Sequence, residues 1–245
     1  EIAMQNPHLV AGHSFYVFPA LGKILVMLDR DGDENYQPML IPVGGGYPEP
    51  AFGEQFVDYR VHCLKCDADD NIAYFTAESR KEPVVVSYRG DLATRELLKL
   101  GESKWGCFVN GVSADHSRIA LADQYTVGDV ALYLWTKKRG ARKLFYGVPL
   151  EDRAKDEVVP LNSIGTCHFI RNRGMLVTTA LFSDTFGLGY MDVRAPQDIK
   201  PVTVAGTVHT GVGEFEECYH IAKNQFALKY NIDGCSWLYE GTLDE

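Results

Sequence analysis

Four oxygen-bearing residues alternate through one short segment: Asp29, Asp31, Asp33 and Asn35. Oxygen ligands at this spacing open a calcium loop, which makes the four candidate metal ligands. A complete EF-hand loop also takes Gly at its sixth position and a bidentate Glu at its twelfth. Glu34 and Leu40 stand there instead, so a solvated hairpin turn accounts for the same residues. Cys63-Leu64-Lys65-Cys66, flanked by His62, has the spacing of a zinc or redox site. No second such pair completes a ligand set of four. In a regular strand, residues three apart point to opposite faces. The two thiols are therefore expected to be separated and structural.

Acid–base chemistry has dispersed candidates. His62, His168 and His220 fall within apolar runs, and His209 lies in a loop ahead of the last repeat. Carboxylates in comparable places are Asp58, Asp67, Asp115, Glu214, Glu216 and Glu217. A glycosidase needs a pair of carboxylates flanking one bond, and this supply is adequate but unpatterned. Nucleophilic catalysis has less behind it. Gly12-His13-Ser14 meets Tyr16 where an elbow needs Gly, and Gly234-Cys235-Ser236 runs on into Trp237-Leu238. No strand–elbow–helix context surrounds either serine. Gly44-Gly45-Gly46 precedes Tyr47-Pro48-Glu49-Pro50 rather than a helix, which makes it a turn and not a phosphate cradle. No catalytic residue and no cofactor are expected.

The elements that position these residues repeat. Lys23–Leu28 is a β-rich run after a turn, and the same grammar returns at Asn71–Ala77, Arg118–Asp123, Gly174–Ala180 and Asn224–Tyr230. The period is about 45–55 residues, which for a strand-rich chain means propeller blades. An apolar run precedes each: Ser14–Phe18, Tyr59–Cys66, Cys107–Val112, Thr166–Ile170 and Phe215–Ile221. A third strand follows each: Tyr36–Pro42, Pro83–Tyr88, Val130–Thr136, Leu188–Val193 and Ser236–Thr242. Fourth strands are read at Leu97–Leu100, Arg142–Tyr146 and Pro201–Val204. Thr94–Leu100 has the propensity of a helical turn, but repeat register makes it strand. Asp31-Gly32, Arg139-Gly140, Arg173-Gly174 and Asp233-Gly234 are tight-turn signals.

The fold class is thus all-β, a β-propeller of about five four-stranded blades in a single domain over 1–245. The blades span roughly 11–52, 56–103, 105–147, 162–204 and 209–245. The last lacks an outer strand, and an open strand exposes unpaired backbone groups. Either Ile2–Val10 adds there and closes the ring, or the protein continues with more blades. In this frame His62, His168, His209, Glu214 and Glu216 are candidate binding residues around an axial mouth.

Bulk charge narrows the partners. The formal charge is −9, with no basic stripe to offset it, which disfavours nucleic acid and anionic membranes. No apolar run reaches the ~20 residues of a membrane helix, and no leader pattern opens the chain. A cytoplasmic protein is expected, with its six cysteines reduced and buried rather than bridged. The chain opens at Glu1 rather than Met, as a piece of a longer protein does.

Asn110-Gly-Val-Ser-Ala-Asp115, Gln124-Tyr-Thr-Val-Gly-Asp-Val130, His209-Thr-Gly-Val-Gly-Glu214 and Tyr230-Asn-Ile-Asp-Gly-Cys-Ser-Trp-Leu-Tyr-Glu240 carry a resemblance. With the repeat grammar, they are similar to TolB-like and WD-like propellers, and more closely to the propeller of the prolyl oligopeptidase family of serine peptidases. That resemblance implies a non-catalytic module that gates or docks peptide substrate for an α/β-hydrolase domain. The triad of that family belongs to the hydrolase domain, so no catalytic residue carries over. Related dipeptidyl peptidases hold a substrate amino terminus with a glutamate pair, but the surroundings of Glu216-Glu217 do not match that motif. The alternatives are a stand-alone propeller binding a protein or peptide, and a propeller glycosidase or metal-dependent hydrolase.

Overall fold

The computed structural model describes residues 12–171 and 173–244. It is all-β, of the β-propeller class, with five consecutive antiparallel sheets as its blades. The first sheet is β1 (Gly12–Phe18), β2 (Lys23–Leu28), β3 (Gln37–Pro42) and β4 (Glu49–Pro50). The second is β5 (Tyr59–Asp67), β6 (Ile72–Ser79), β7 (Val85–Asp91) and β8 (Glu96–Ser103). The third is β9 (Gly106–Val112), β10 (Arg118–Thr126), β11 (Asp129–Thr136) and β12 (Ala141–Tyr146). The fourth is β13 (Cys167–Ile170), β14 (Gly174–Thr179), β15 (Gly187–Asp192) and β16 (Lys200–Val202). Among the described residues the fifth has three strands: β17 (Gly213–Ala222), β18 (Gln225–Ile232) and β19 (Cys235–Thr242). The closing-strand expectation for Ile2–Val10 lies outside the described residues. By contact the chain divides into two compact units, Glu1–Val109 and Asn110–Glu245.

The second strands form as the apolar runs demand. β14 is buried at all six residues, and the first six residues of β6 are buried. A strand covered on both faces cannot alternate, so it reads as a continuous apolar run. The Thr94–Leu100 segment is strand from Glu96 onward: register outweighs local propensity.

β4 was not anticipated. It is two residues long, pairing Glu49 with Leu40 and Pro50 with Met39. Pro48 and Pro50 have no N–H to give a ladder, which keeps the strand short. Glu49 fixes it, accepting from Lys23 Nζ at 3.1 Å and from Arg95 Nη2 at 2.8 Å. In the same unit Phe52 packs edge-on to Phe56 and Phe75, with centroids 5.9 and 5.5 Å apart, joining the first blade to the second.

β5 corrects the reading of its cysteines. A bulge pairs Cys63 with Phe75 and Lys65 with Tyr74, and leaves Leu64 as the extra residue. One inserted residue shifts the period of two. Cys63 and Cys66 therefore share a face, their sulfurs 3.4 Å apart. The opposite-face expectation held only for an unbulged strand. All six cysteines are free thiols; Cys107, Cys167 and Cys218 are buried, while Cys235 is exposed.

In the second unit, adjacent blades approach through backbone. A Cβ on Gly111 would fall inside the van der Waals envelope of the Cys167 carbonyl oxygen. Asn110 Nδ2 donates to the Gly165 carbonyl at 2.8 Å. Buried Asn162 donates from Nδ2 to the Val130 carbonyl at 3.0 Å and accepts the Ile164 N–H on Oδ1 at 3.3 Å. Gly241 in β19, by contrast, has open space where its Cβ would be. Gly111→Ala is expected to cost about 3 kcal/mol, the upper end for overpacking. Gly241→Ala should stay within about 0.5 kcal/mol. Urea unfolding midpoints of the two variants check the difference.

Candidate functional site

The acidic turn uses its own oxygens. Asp33 Oδ1 accepts the Asn35 N–H at 2.9 Å and the Arg30 N–H at 3.4 Å, and Oδ2 accepts Asn35 Nδ2 at 3.1 Å. Buried Asp29 accepts the Glu34 N–H on Oδ2 at 3.3 Å. Asp31 and Glu34 adopt left-handed backbone. The Asn35 N–H holds the Asp33 carboxyl below its ordinary range. This is hydrogen bonding of an Asx turn, and it places Asp29, Asp31, Asp33 and Asn35 in the β2–β3 connection.

The histidine and glutamate candidates stand in separate local settings. His62 on β5 faces Glu78 of β6, Nε2 to Oε1 3.6 Å. His168 on β13 meets the Cys218 carbonyl through Nε2 at 2.8 Å, with the Phe226 ring 5.8 Å away. His209 is pinned by Tyr239, whose hydroxyl lies 2.7 Å from Nδ1 and accepts the His209 N–H at 3.1 Å. The Tyr230 ring sits 4.8 Å from the His209 ring. Glu216 pairs with Lys229 at 2.9 Å, and Glu214 is exposed at the start of β17. Within the second unit, His168 packs on β17 and β18, and His209 on β18 and β19. Asp58 pairs with Lys81 at 2.7 Å. Asp115 accepts from Ser113 Oγ at 2.7 Å and from Ser117 Oγ at 2.9 Å. Those hydroxyls bring its carboxyl down to about 2, so it is ionised throughout the physiological range and is no general acid.

The third blade holds polar groups that sequence reading passed over. Asp123, 3% exposed at its side chain, takes Arg142 in a two-pronged pair at 2.7 and 3.1 Å. The same guanidinium lies 4.1 Å from the Tyr133 ring centroid. Asp129 takes Arg153 in a second fork, at 2.5 and 2.9 Å. Each carboxylate is neutralised where it stands, which makes these pairs architecture.

In the second unit a cleft of about 680 Å3 lies between the fourth and fifth blades. Ile170, Tyr190, Val202 and Leu243 supply apolar wall. Arg171 and Arg173 come from the β13–β14 turn and Lys223 from the β17–β18 turn, and all three are exposed. Asp244 is the lining carboxylate. Arg118 Nη2 donates to the Arg171 carbonyl at 2.6 Å and steadies the first turn. The second is tied to the chain beyond β19: the Leu243 N–H donates to the Asn224 carbonyl at 2.8 Å, and Asn224 Nδ2 to the Leu243 carbonyl at 3.3 Å. A basic rim over an apolar wall suits a ligand that is apolar with an anionic end. The signal was present in the repeat: both turns join first and second strands, so neighbouring blades bring them side by side.

No family model matches the chain, and no curated protein matches it in sequence. Solved structures do. TolB from Acinetobacter baumannii aligns with a TM-score of 0.55 at 12% identity, over 93% of this chain and 49% of that one. A prolyl endopeptidase aligns at 0.48 and 10% identity, over 96% of this chain and 42% of that one. A chain of a nidogen–laminin complex aligns at 0.45 and 12% identity, over 78% and 63%. The chain thus spans less than two thirds of each. The likeness to TolB shows the propeller fold. No helix among the described residues is long and apolar enough to cross a membrane.

Two outcomes follow from the polar groups. Arg142→Ala is expected to destabilise by about 3 kcal/mol, because it leaves the buried Asp123 charge without this partner. Arg142→Ala with Asp123→Ala should cost less than the sum of the single changes, which a double-mutant cycle in urea measures. Asp115 should titrate at about 2 by carbon NMR, rising toward the ordinary value of about 3.9 when Ser113 and Ser117 become Ala. Its folded value is depressed, so its contribution to stability is present above about pH 4 and lost as pH falls toward 2.

Proposed function

We propose that this chain is a non-catalytic docking module, a propeller that holds a peptide segment through an apolar residue and an adjacent carboxylate. The cleft of about 680 Å3 with its rim of Arg171, Arg173 and Lys223 carries the reading. Three of the six carboxylates that acid–base chemistry could use are tied up: Asp58 with Lys81, Glu216 with Lys229, and Asp115 with two serine hydroxyls. In this reading the peptide is the substrate or partner segment of a neighbouring hydrolase domain, as the resemblance to prolyl-oligopeptidase propellers implies. Docking on the chain alone is the form that can be tested directly.

The probe is a panel of fluorescein-labelled hexapeptides ending in Leu, Phe or Glu, each with a free carboxylate and as its amide. Anisotropy should show binding of free-acid peptides with apolar ends. Affinity should fall at least tenfold, about 1.4 kcal/mol, on amidation or with Arg173→Glu plus Lys223→Glu. Added salt should weaken it, since the rim is solvent-exposed. Binding indifferent to both changes overturns the reading. So does an absence of binding below about 1 mM, or peptide hydrolysis by this chain that a serine-directed inhibitor abolishes.

A further inference from the structure

The bulge in β5 creates a vicinal dithiol from two residues that a regular strand would separate. Cys63 and Cys66 have their sulfurs 3.4 Å apart in hydrogen-bonding contact. A disulfide needs about 2.03–2.05 Å, so closure asks for roughly 1.4 Å of approach. Leu64, between them, has no partner in the β5–β6 register and is 41% exposed. The chain at the bulge is therefore not held by the ladder at the point where it must yield. Both cysteines are half-buried. Three of the other four are buried, and the exposed Cys235 lies far along the chain on β19.

The surroundings distinguish the two sulfurs. Tyr16 of β1, Cys63 and Cys66 pack on the same apolar cluster, which includes Phe18, Val61 and Phe75. The hydrogen bond with Cys63, together with burial, pushes the Cys66 thiol up. A thiol held protonated is a poor first nucleophile, and Cys63 directly precedes the bulged Leu64 where the ladder is interrupted, so the first attack falls to Cys63.

We propose that Cys63 and Cys66 are a thiol–disulfide site that exchanges with low-molecular-weight disulfides such as glutathione disulfide. The Cys63 thiolate attacks one sulfur of the small disulfide, forming a mixed disulfide and expelling one thiolate. That thiolate takes the Cys66 proton. Cys66 then attacks Cys63 Sγ and expels the second thiolate. Two protein thiols lose two electrons and two protons, and one small disulfide becomes two thiols. Four residues enclose the loop, so the second step is intramolecular and outruns capture by a second small molecule. The product fixes the bulge beside Tyr16, at the junction of the first two blades.

The sequence supplies its own readout. Trypsin cuts after Arg60, Lys65 and Arg80, placing Cys63 in fragment 61–65 and Cys66 in fragment 66–80. The folded chain is equilibrated with glutathione disulfide in native buffer, its remaining thiols are alkylated, and it is digested. The expected product is fragment 61–65 joined to fragment 66–80 and released by reduction. In Cys66→Ser the mixed disulfide should accumulate on Cys63. In Cys63→Ser, Cys66 should acquire glutathione at least tenfold more slowly than Cys63 does in Cys66→Ser. Separate alkylated fragments, at an oxidant concentration that fully modifies Cys235, overturn the proposal. So does a bridge that forms only in urea, or glutathione that stays on Cys63 while Cys66 is present.

Discussion

Burial of a strand on both faces is the constraint from which most of this structure follows. The backbone of β6 or β14 is satisfied by its two neighbours in the sheet, but its side chains project both ways. Tyr74 and Phe75 are adjacent, point to opposite faces and are both fully buried. Such a strand is stable only when another layer lies on each side, which is why one blade cannot fold usefully alone. The cover is thinner in the fifth blade. β18 is buried at three of its eight positions, and β19 is exposed at seven of its eight. The cleft opens where this cover thins, because a blade not fully clothed by its neighbour leaves apolar wall facing solvent.

Apolar contact alone does not fix how adjacent blades are turned, since it is non-directional. Buried polar groups add direction. Ser87 Oγ donates to the Cys107 carbonyl at 2.5 Å and meets Thr76 Oγ1 at 3.3 Å, tying β7 to β9. Asn162 performs the same task between the third and fourth blades: besides its amide contacts, its carbonyl accepts Thr179 Oγ1 at 2.5 Å and the Ala180 N–H at 3.1 Å. An unmade bond in such a place costs the full desolvation of the group. A rotated neighbour is therefore penalised even where the apolar area buried is unchanged.

Legibility in the sequence follows the range of the forces. The second strands were readable because two-sided burial writes itself as consecutive apolar residues, as in Lys23–Leu28, where the expected and observed bounds coincide. β4 was not, because it is only Glu49 and Pro50, directly after Pro48, and its anchors are Lys23 and Arg95, distant in sequence. The Cys63–Cys66 pair was misread for a different reason. A bulge inverts face assignment at the cost of one unpaired residue, and Leu64 carries no local signal of it. His62 and His168 lie on strands and His209 ahead of β17, and what engages each is a partner from another strand. The basic rim of the cleft was hidden because Arg171, Arg173 and Lys223 are ordinary turn residues until neighbouring repeats are superposed.

Charge bears on the docking we propose at the cleft. With a net charge of −9, the molecule repels anions at distances beyond a Debye length of about 8 Å only feebly in physiological salt. Within that length, local charge decides. Many acidic groups are already answered, Asp123 and Asp129 by guanidinium forks and Asp33 and Asp115 by N–H and O–H donors. Three cations gather on the two turns against one lining carboxylate, Asp244. An anion alone gains little from exposed side chains that water and salt screen. An apolar group alone gains wall contact but leaves the rim solvated. In the docking proposed here, a ligand presenting both in one piece gains both terms while losing its translational freedom once.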